Sequence, residues 1–247
     1  MDYYNFDVII IGGGIAGLYT AYRLQDKHRI LIIEKNGYIG GRIHTNTLTH
    51  KGVKFRYECA AGRIPSNHKR AMNLINELKL NSHLVKLGND KTFISVDGDI
   101  KDIDLDYYIN DFMNKSLKLT SSQLKKITLY DFLLDIYEED IVLSIVYKFG
   151  YKGEFWSYSA YDALRAFRND MNPDNVYYGL KKGVDKIIDG LIDRLNDNVV
   201  LINKMYFNGY SYKNSNFIVN VTNLKTKEII DFNIQNPDSA IENIDNF

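Results

Sequence analysis

One cysteine, three prolines and a formal net charge of zero remove several classes of protein at once. A single thiol, Cys59, forms no internal disulfide, so nothing asks for an oxidising compartment. With 31 basic residues balanced by 31 acidic ones, no surplus positive charge is left to meet phosphate backbones, which argues against a nucleic-acid partner. No apolar run approaches the roughly 20 residues that a membrane-crossing helix needs. The start, Met1-Asp2-Tyr3-Tyr4-Asn5, lacks the basic leader of a signal peptide, and together these absences predict a cytoplasmic protein. The histidines at 28, 44, 50, 68 and 83 show no metal-ligand spacing, so no metal site is expected. What is present is an ordinary globular balance, 45% hydrophobic and 25% charged, which excludes a disordered chain.

Residues 6–11, Phe-Asp-Val-Ile-Ile-Ile, form a short β-branched run that predicts a strand covered on both faces, as in a parallel sheet. Gly12-Gly13-Gly14-Ile15-Ala16-Gly17 follows, then a helical stretch to Leu24, then a second apolar run, Ile30-Leu31-Ile32-Ile33, ending at Glu34. This is a β-α-β unit. Its glycines at 12, 14 and 17 fit G-x-G-x-x-G, and Glu34 stands 22 residues after Gly12, the spacing of a dinucleotide-binding fingerprint. In that fingerprint Gly12 permits the tight turn, Gly14 lets the main chain approach a pyrophosphate, and Gly17 lets helix and strand pack closely. The pyrophosphate rests at the positive helix start, beside Ile15 and Ala16. Glu34 accepts hydrogen bonds from ribose hydroxyls and repels a 2′-phosphate.

Further along, Ile43–Thr49 and Val53–Cys59 alternate as a hairpin, and residues 66–80 predict a helix capped by Ser66. Thr92–Val96 and Ile100 flank Asp97-Gly98, a hairpin signal. Residues 103–170 read as mainly helical, with Thr128 as a cap. Aromatics crowd residues 147–161, as core packing or as the lining of a substrate cavity. An amphipathic helix follows Gly183, and strands are expected at Val199–Ile202, Met205–Phe207 and Phe217–Val221. Six asparagines between 203 and 223 predict that these strands are short or solvent-facing, and residues 231–247 read as a poorly ordered tail.

The segment after Glu34 separates nicotinamide from flavin. Glu34-Lys35-Asn36-Gly37-Tyr38-Ile39-Gly40-Gly41-Arg42 resembles the flavin-containing amine oxidoreductase family, in which Gly-Gly-Arg follows the ribose-binding Glu and the Arg contacts the FAD phosphates. The resemblance implies FAD as cofactor, held by Gly12, Gly14, Ile15, Ala16, Gly17, Glu34, Lys35, Gly41 and Arg42. Ala60-Ala61-Gly62-Arg63-Ile64-Pro65 is similar to a stretch of L-amino-acid oxidases whose Arg binds the substrate carboxylate and whose preceding residues touch the flavin. This implies Ala60, Ala61, Gly62 and Arg63 at the flavin, and Arg63 also on the carboxylate. Here Ala60, Ala61 and Gly62 replace that family's Gly, Pro and Met. Gly183-Val184-Asp185-Lys186 resembles the segment where the chain re-enters the FAD domain, and Val200–Phe207 resembles the strand that brackets adenine, which gives Tyr206 that position.

The implied fold is α/β: a discontinuous Rossmann-like FAD-binding domain over 1–66 and 174–230, with an inserted, mostly helical substrate-side region over 67–173. The implied activity is oxidation of an amine or L-amino-acid CH–NH group, with hydride passing to flavin N5 and oxygen reoxidising the flavin to give hydrogen peroxide. No catalytic residue is identified. Family members are longer, and their C-terminal half supplies much of the substrate cavity. The expectation is therefore a truncated member: a fragment, a split gene or a degenerate copy, with a second polypeptide that completes the fold as one candidate partner. The alternative is a non-catalytic FAD-binding remnant or one chain of a split flavoprotein. A carotenoid-type desaturase shares residues 8–42 but has no need of Arg63 for a carboxylate.

Overall fold

The computed structural model describes residues 5–88, 103–170, 176–213 and 216–234. The chain forms two compact units, Met1–Leu87 with Tyr177–Phe247, and Gly88–Val176. The first unit begins with β1 (Asn5–Phe6), β2 (Val8–Ile11), α1 (Ile15–Leu24), β3 (Ile30–Ile33), β4 (Thr45–His50), β5 (Val53–Glu58), β6 (Ile64–Pro65), α2 (Lys69–Glu77) and β7 (Leu84–Lys86). The second unit holds α3 (Leu105–Ser116), α4 (Ser121–Leu124), α5 (Leu129–Leu134), α6 (Glu139–Phe149), α7 (Gly153–Trp156) and α8 (Ala160–Asp170). The chain then returns to the first unit as β8 (Tyr177–Leu180), α9 (Lys186–Ile192), β9 (Val199–Ile202), β10 (Met205–Lys213), β11 (Asn216–Asn223) and β12 (Ile229–Ile234).

The first unit is layered around β3. This strand is central in a parallel sheet of order β2-β3-β9, with Ile30 opposite both Val8 and Val199. All four of its residues are buried, and the two faces bury into different layers. Ile30 and Ile32 pack with Leu18, Ala21, Ile75 and Leu191 of the helices. Leu31 and Ile33 pack with Phe6, Met205, Val221 and Phe232 beneath a second sheet, of order β1-β12-β11-β10. A continuous apolar run is required because neither face meets water, and each buried side chain contributes about 1.5–3 kcal/mol. The β-branched runs thus do form the parallel sheet that their composition predicts.

Several local expectations change. Helix α2 lies in the first unit, where Leu74, Ile75 and Leu78 complete the core around α1, so the helical insertion begins after Leu87. Ser66 is not its cap: the helix starts at Lys69, behind His68, with no side-chain cap. Residues 231–234 are not the start of a loose tail. They finish β12, which pairs with β11 and β1 and buries Phe232 against Phe6, with ring centroids 6.2 Å apart. Ile230, Phe232 and Ile234 share its inner face, and the polar residues that disguise the strand face out. For the same reason β10 and β11 run longer than expected, as one-sided strands. The expected hairpin around Asp97-Gly98, and residues 235–247, lie outside the described residues.

Five residues among those described adopt left-handed backbone without being glycine, and all are lysine: Lys51, Lys79, Lys182, Lys204 and Lys227. Lys51 and Gly52 form the turn between β4 and β5. Lys79 ends α2, where Leu80 N–H donates to Ile75 O at 2.9 Å and Lys79 N–H to Asn76 O at 2.9 Å.

The second unit is built by side chains. Thr120 and Thr128 each cap a helix in a reciprocal capping box, with Gln123 and Asp131. The aromatic crowd divides: Phe149 stacks on Phe167 at 4.7 Å and meets Phe155 edge-on, whereas Tyr151, Trp156 and Tyr158 face solvent. The Tyr137 hydroxyl donates to Asp111, which also pairs with Lys115 at 2.7 Å. Among the described residues no helix is long and apolar enough to cross a membrane.

Candidate dinucleotide-binding site

At the end of β2 the chain turns sharply at Gly12, whose φ is +106° and whose N–H donates to Ile33 O at 2.8 Å. Helix α1 begins immediately after it. A Cβ on Gly17 would lie 2.1 Å from Gly12 O, so glycine is required for the helix to rest on the turn. Gly14 is the N-cap of α1. No side chain caps the helix there, and its first turn carries no acidic residue. Main-chain N–H groups at an uncapped helix start suit an anionic oxygen.

Glu34 is 6% exposed. One carboxylate oxygen accepts from Gly13 N–H at 2.8 Å and the other from Asn36 N–H at 2.7 Å. It therefore joins the glycine turn to the loop after β3. A carboxylate oxygen has two acceptor positions, so each retains capacity after one main-chain bond.

The second glycine segment folds onto the first. Gly40 N–H donates to Gly13 O at 2.9 Å, and Gly14 and Gly40 form a parallel bridge. A Cβ on Gly41 would sit 3.3 Å from Gly14 Cα, so the two chains touch through backbone. Ile15 and Ala16 lie in the first turn of α1. Arg42 and Lys35 are exposed. Arg42 O accepts from Ala61 N–H at 3.1 Å, which draws Ala60, Ala61 and Gly62 alongside Arg42. Tyr206 approaches through main chain: its neighbour Met205 donates to Glu34 O at 2.9 Å, and the Tyr206 side chain is 48% exposed. Arg63 precedes β6, in a different sheet of order β6-β8-β7, and its guanidinium lies over the Tyr177 ring at 5.1 Å.

Two residues that sequence reasoning passed over fix the returning chain. Glu58 accepts from Val184 N–H at 3.0 Å and from the Thr45 hydroxyl at 2.7 Å, and that hydroxyl accepts from Asp185 N–H at 3.3 Å. These contacts hold residues 183–185 against the β4–β5 hairpin. Glu58 and Val184 stand 126 positions apart, and no local pattern signals the pairing. Among the described residues, no three His, Cys, Asp or Glu side chains gather as a metal site would need.

Residues 10–78 match the NAD(P)-binding Rossmann-like domain family. The flavin-dependent L-tryptophan oxidase RebO of Lentzea aerocolonigenes is 34% identical over 92 residues, covering 37% of this chain and 19% of that protein. The L-amino-acid oxidase of Siganus canaliculatus is 36% identical over 95 residues, covering 38% of this chain and 18% of that one. The match thus spans less than a fifth of either relative's length. Among solved structures, putrescine oxidase bound to putrescine superposes with a TM-score of 0.65 at 17% identity, over 92% of this chain and 56% of that chain. That likeness concerns the fold. The chain is thus similar in its N-terminal sequence to two flavin- and amino-acid-oxidising enzymes, and in fold to putrescine oxidase.

Proposed function

We propose that the chain is an FAD-dependent oxidoreductase acting on the CH–NH group of an amine or L-amino acid. The observation that carries this reading is the backbone junction of the two glycine segments, with Glu34 bonded to Gly13 and Gly14 paired with Gly40. These residues fit the cofactor. The uncapped start of α1, with the N–H groups of Ile15, Ala16 and Gly17, would receive the pyrophosphate. Gly14 and Gly41 add no side chains over that approach. Glu34 would take the ribose hydroxyls on its remaining acceptor positions. The exposed Arg42 would meet phosphate oxygens with its planar fork, with the Lys35 charge nearby. Tyr206 would flank the adenine, and Ala60, Ala61 and Gly62 would line the flavin.

When bound, FAD would accept hydride from the substrate carbon and pass the electrons to oxygen, yielding hydrogen peroxide. The protein's part is placement. Arg63 would fix a substrate carboxylate bidentately, which orients the neighbouring C–H as well as binding charge. That favours an L-amino acid over a simple amine. The single exposed thiol, Cys59, suits a reducing compartment such as the cytoplasm.

A second reading, a non-catalytic FAD-binding chain or one chain of a two-chain flavoprotein, has an observation of its own. Leu48, Val53, Phe55 and Tyr57 are all exposed on one face of the β4–β5 hairpin, with Leu48 opposite Phe55. A second polypeptide laid there would cover an apolar surface that a lone two-stranded ribbon leaves wet.

The test is the visible spectrum of the purified chain before and after FAD is added and removed by gel filtration. A retained flavin band that bleaches anaerobically with L-amino acids is the expected result. Bleaching with a diamine and with no amino acid would reject the role of Arg63. A retained band that no substrate bleaches would favour the second reading. A colourless protein would overturn the proposal.

A further inference from the structure

The helical unit holds a cleft of 170 Å³ between the end of α3, α4 and α8. Its floor is apolar, with Leu119, Leu124 and Leu164. Its wall carries two guanidinium groups, Arg165 and Arg168. Both stand on one face of α8 with Tyr161 and Leu164, at the 0, 3, 4, 7 spacing that lines up side chains on a helix. Arg168 donates to the hydroxyl of Ser116 at 3.3 Å; that serine is buried and donates onward to Met113 O at 2.6 Å. Among the described residues no carboxylate pairs with either arginine. No acidic side chain among them lines the cleft. Outside the lining, the Lys125 ammonium lies 4.9 Å from the centre of the Tyr161 ring.

Two cations facing one cleft, with no paired carboxylate among the described residues, repel each other, and an oxyanion between them relieves this. The guanidinium fork matches carboxylate and phosphate alike. A cleft of about 170 Å³ with Leu119, Leu124 and Leu164 along it has room for a short hydrocarbon group beside the guanidiniums. We propose that this cleft binds a small amphipathic oxyanion, a carboxylate or phosphate headgroup carrying a short apolar tail. The site lies wholly within the helical unit and owes nothing to the flavin reading.

Calorimetric titration of the full chain with hexanoate, hexyl phosphate, 1-hexanol and inorganic phosphate tests it. Both hexyl anions are expected to bind, and the tighter one identifies the headgroup. Hexanol and inorganic phosphate should each bind about tenfold weaker or more, since each lacks one half of the recognition. Arg165→Gln and Arg168→Gln should each weaken the hexyl anions by about tenfold, the worth of a charge-assisted hydrogen bond. Arg165 is exposed and makes no described bond, so its variant keeps the fold, which a thermal melt verifies. Absence of binding by either hexyl anion would overturn the proposal. So would unchanged affinity in Arg165→Gln, or inorganic phosphate binding as tightly as hexyl phosphate. Titration of FAD-free and FAD-supplied protein should agree, so failure here is distinct from failure to hold flavin.

Discussion

The two units solve the problem of holding a shape by opposite means. The Rossmann-like unit builds its candidate site from main chain. Gly17 lies on Gly12 O, Gly41 lies against Gly14, and Glu34 holds a backbone N–H with each carboxylate oxygen. The helical unit is held by side chains: the threonine caps of α4 and α5, the Phe149–Phe167 stack, and the Tyr137–Asp111–Lys115 group. The difference teaches where each unit is vulnerable. The first should fail when atoms are added, and the second when atoms are taken away.

Gly17→Ala is the most severe way to try this. Its Cβ would stand 2.1 Å from a backbone oxygen with no flexible neighbour to yield. The expected cost exceeds about 5 kcal/mol, in the exceptional range for one substitution, and appears as loss of folded protein in a denaturant titration. A stable Gly17→Ala protein would break the comparison on the Rossmann side. Removal of atoms tests the helical side. Phe155→Ala empties a fully buried position and should cost about 3–5 kcal/mol by the same titration. Thr128→Ala deletes the cap of α5 and should cost about 1 kcal/mol, read as a fall in Tm.

The smallest effect sharpens the comparison through pH. Hydrogen bonds from Lys115 and then from Tyr137 hold the Asp111 carboxyl below its usual range. Because the folded value is the lower one, the stability from Asp111 is fully present above the unfolded value of about 3.9 and is lost as pH falls through the folded value. The pair is partly solvated, so Asp111→Asn should cost about 0.5 kcal/mol near pH 7. The difference in Tm between wild type and variant should begin to narrow below about pH 4 and close as the pH falls through the folded value. A constant difference across that range would assign the loss to shape rather than to charge.

Much of this was legible in the sequence where a pattern is local. Ile30–Ile33 reads as a doubly buried strand because four consecutive apolar residues fit few other settings, and the glycine spacing fixes the turn that follows β2. Thr128 and Asp131 are three apart, so their capping box is legible too. What stayed hidden depends on distant partners. Strand β12 alternates Ile230, Asp231, Phe232 and Asn233; β11 pairs along its length, but its inner face is covered by Phe6 of β1, from the far end of the chain. Helix α2 belongs to the first core because Leu74 and Ile75 meet Leu18 and Ile32, a choice its own periodicity does not encode. The clamp from Glu58 to Val184 is of the same kind.

The lysines in left-handed turns carry a practical consequence. An L-residue held there gives up about 1–2 kcal/mol that glycine keeps. Lys79 at the end of α2 and Lys204 before β10 are such positions. The protein therefore holds latent thermal headroom outside both cores and outside every residue assigned to cofactor or substrate. An engineer seeking a hardier protein could draw on the turns first and leave the candidate site untouched.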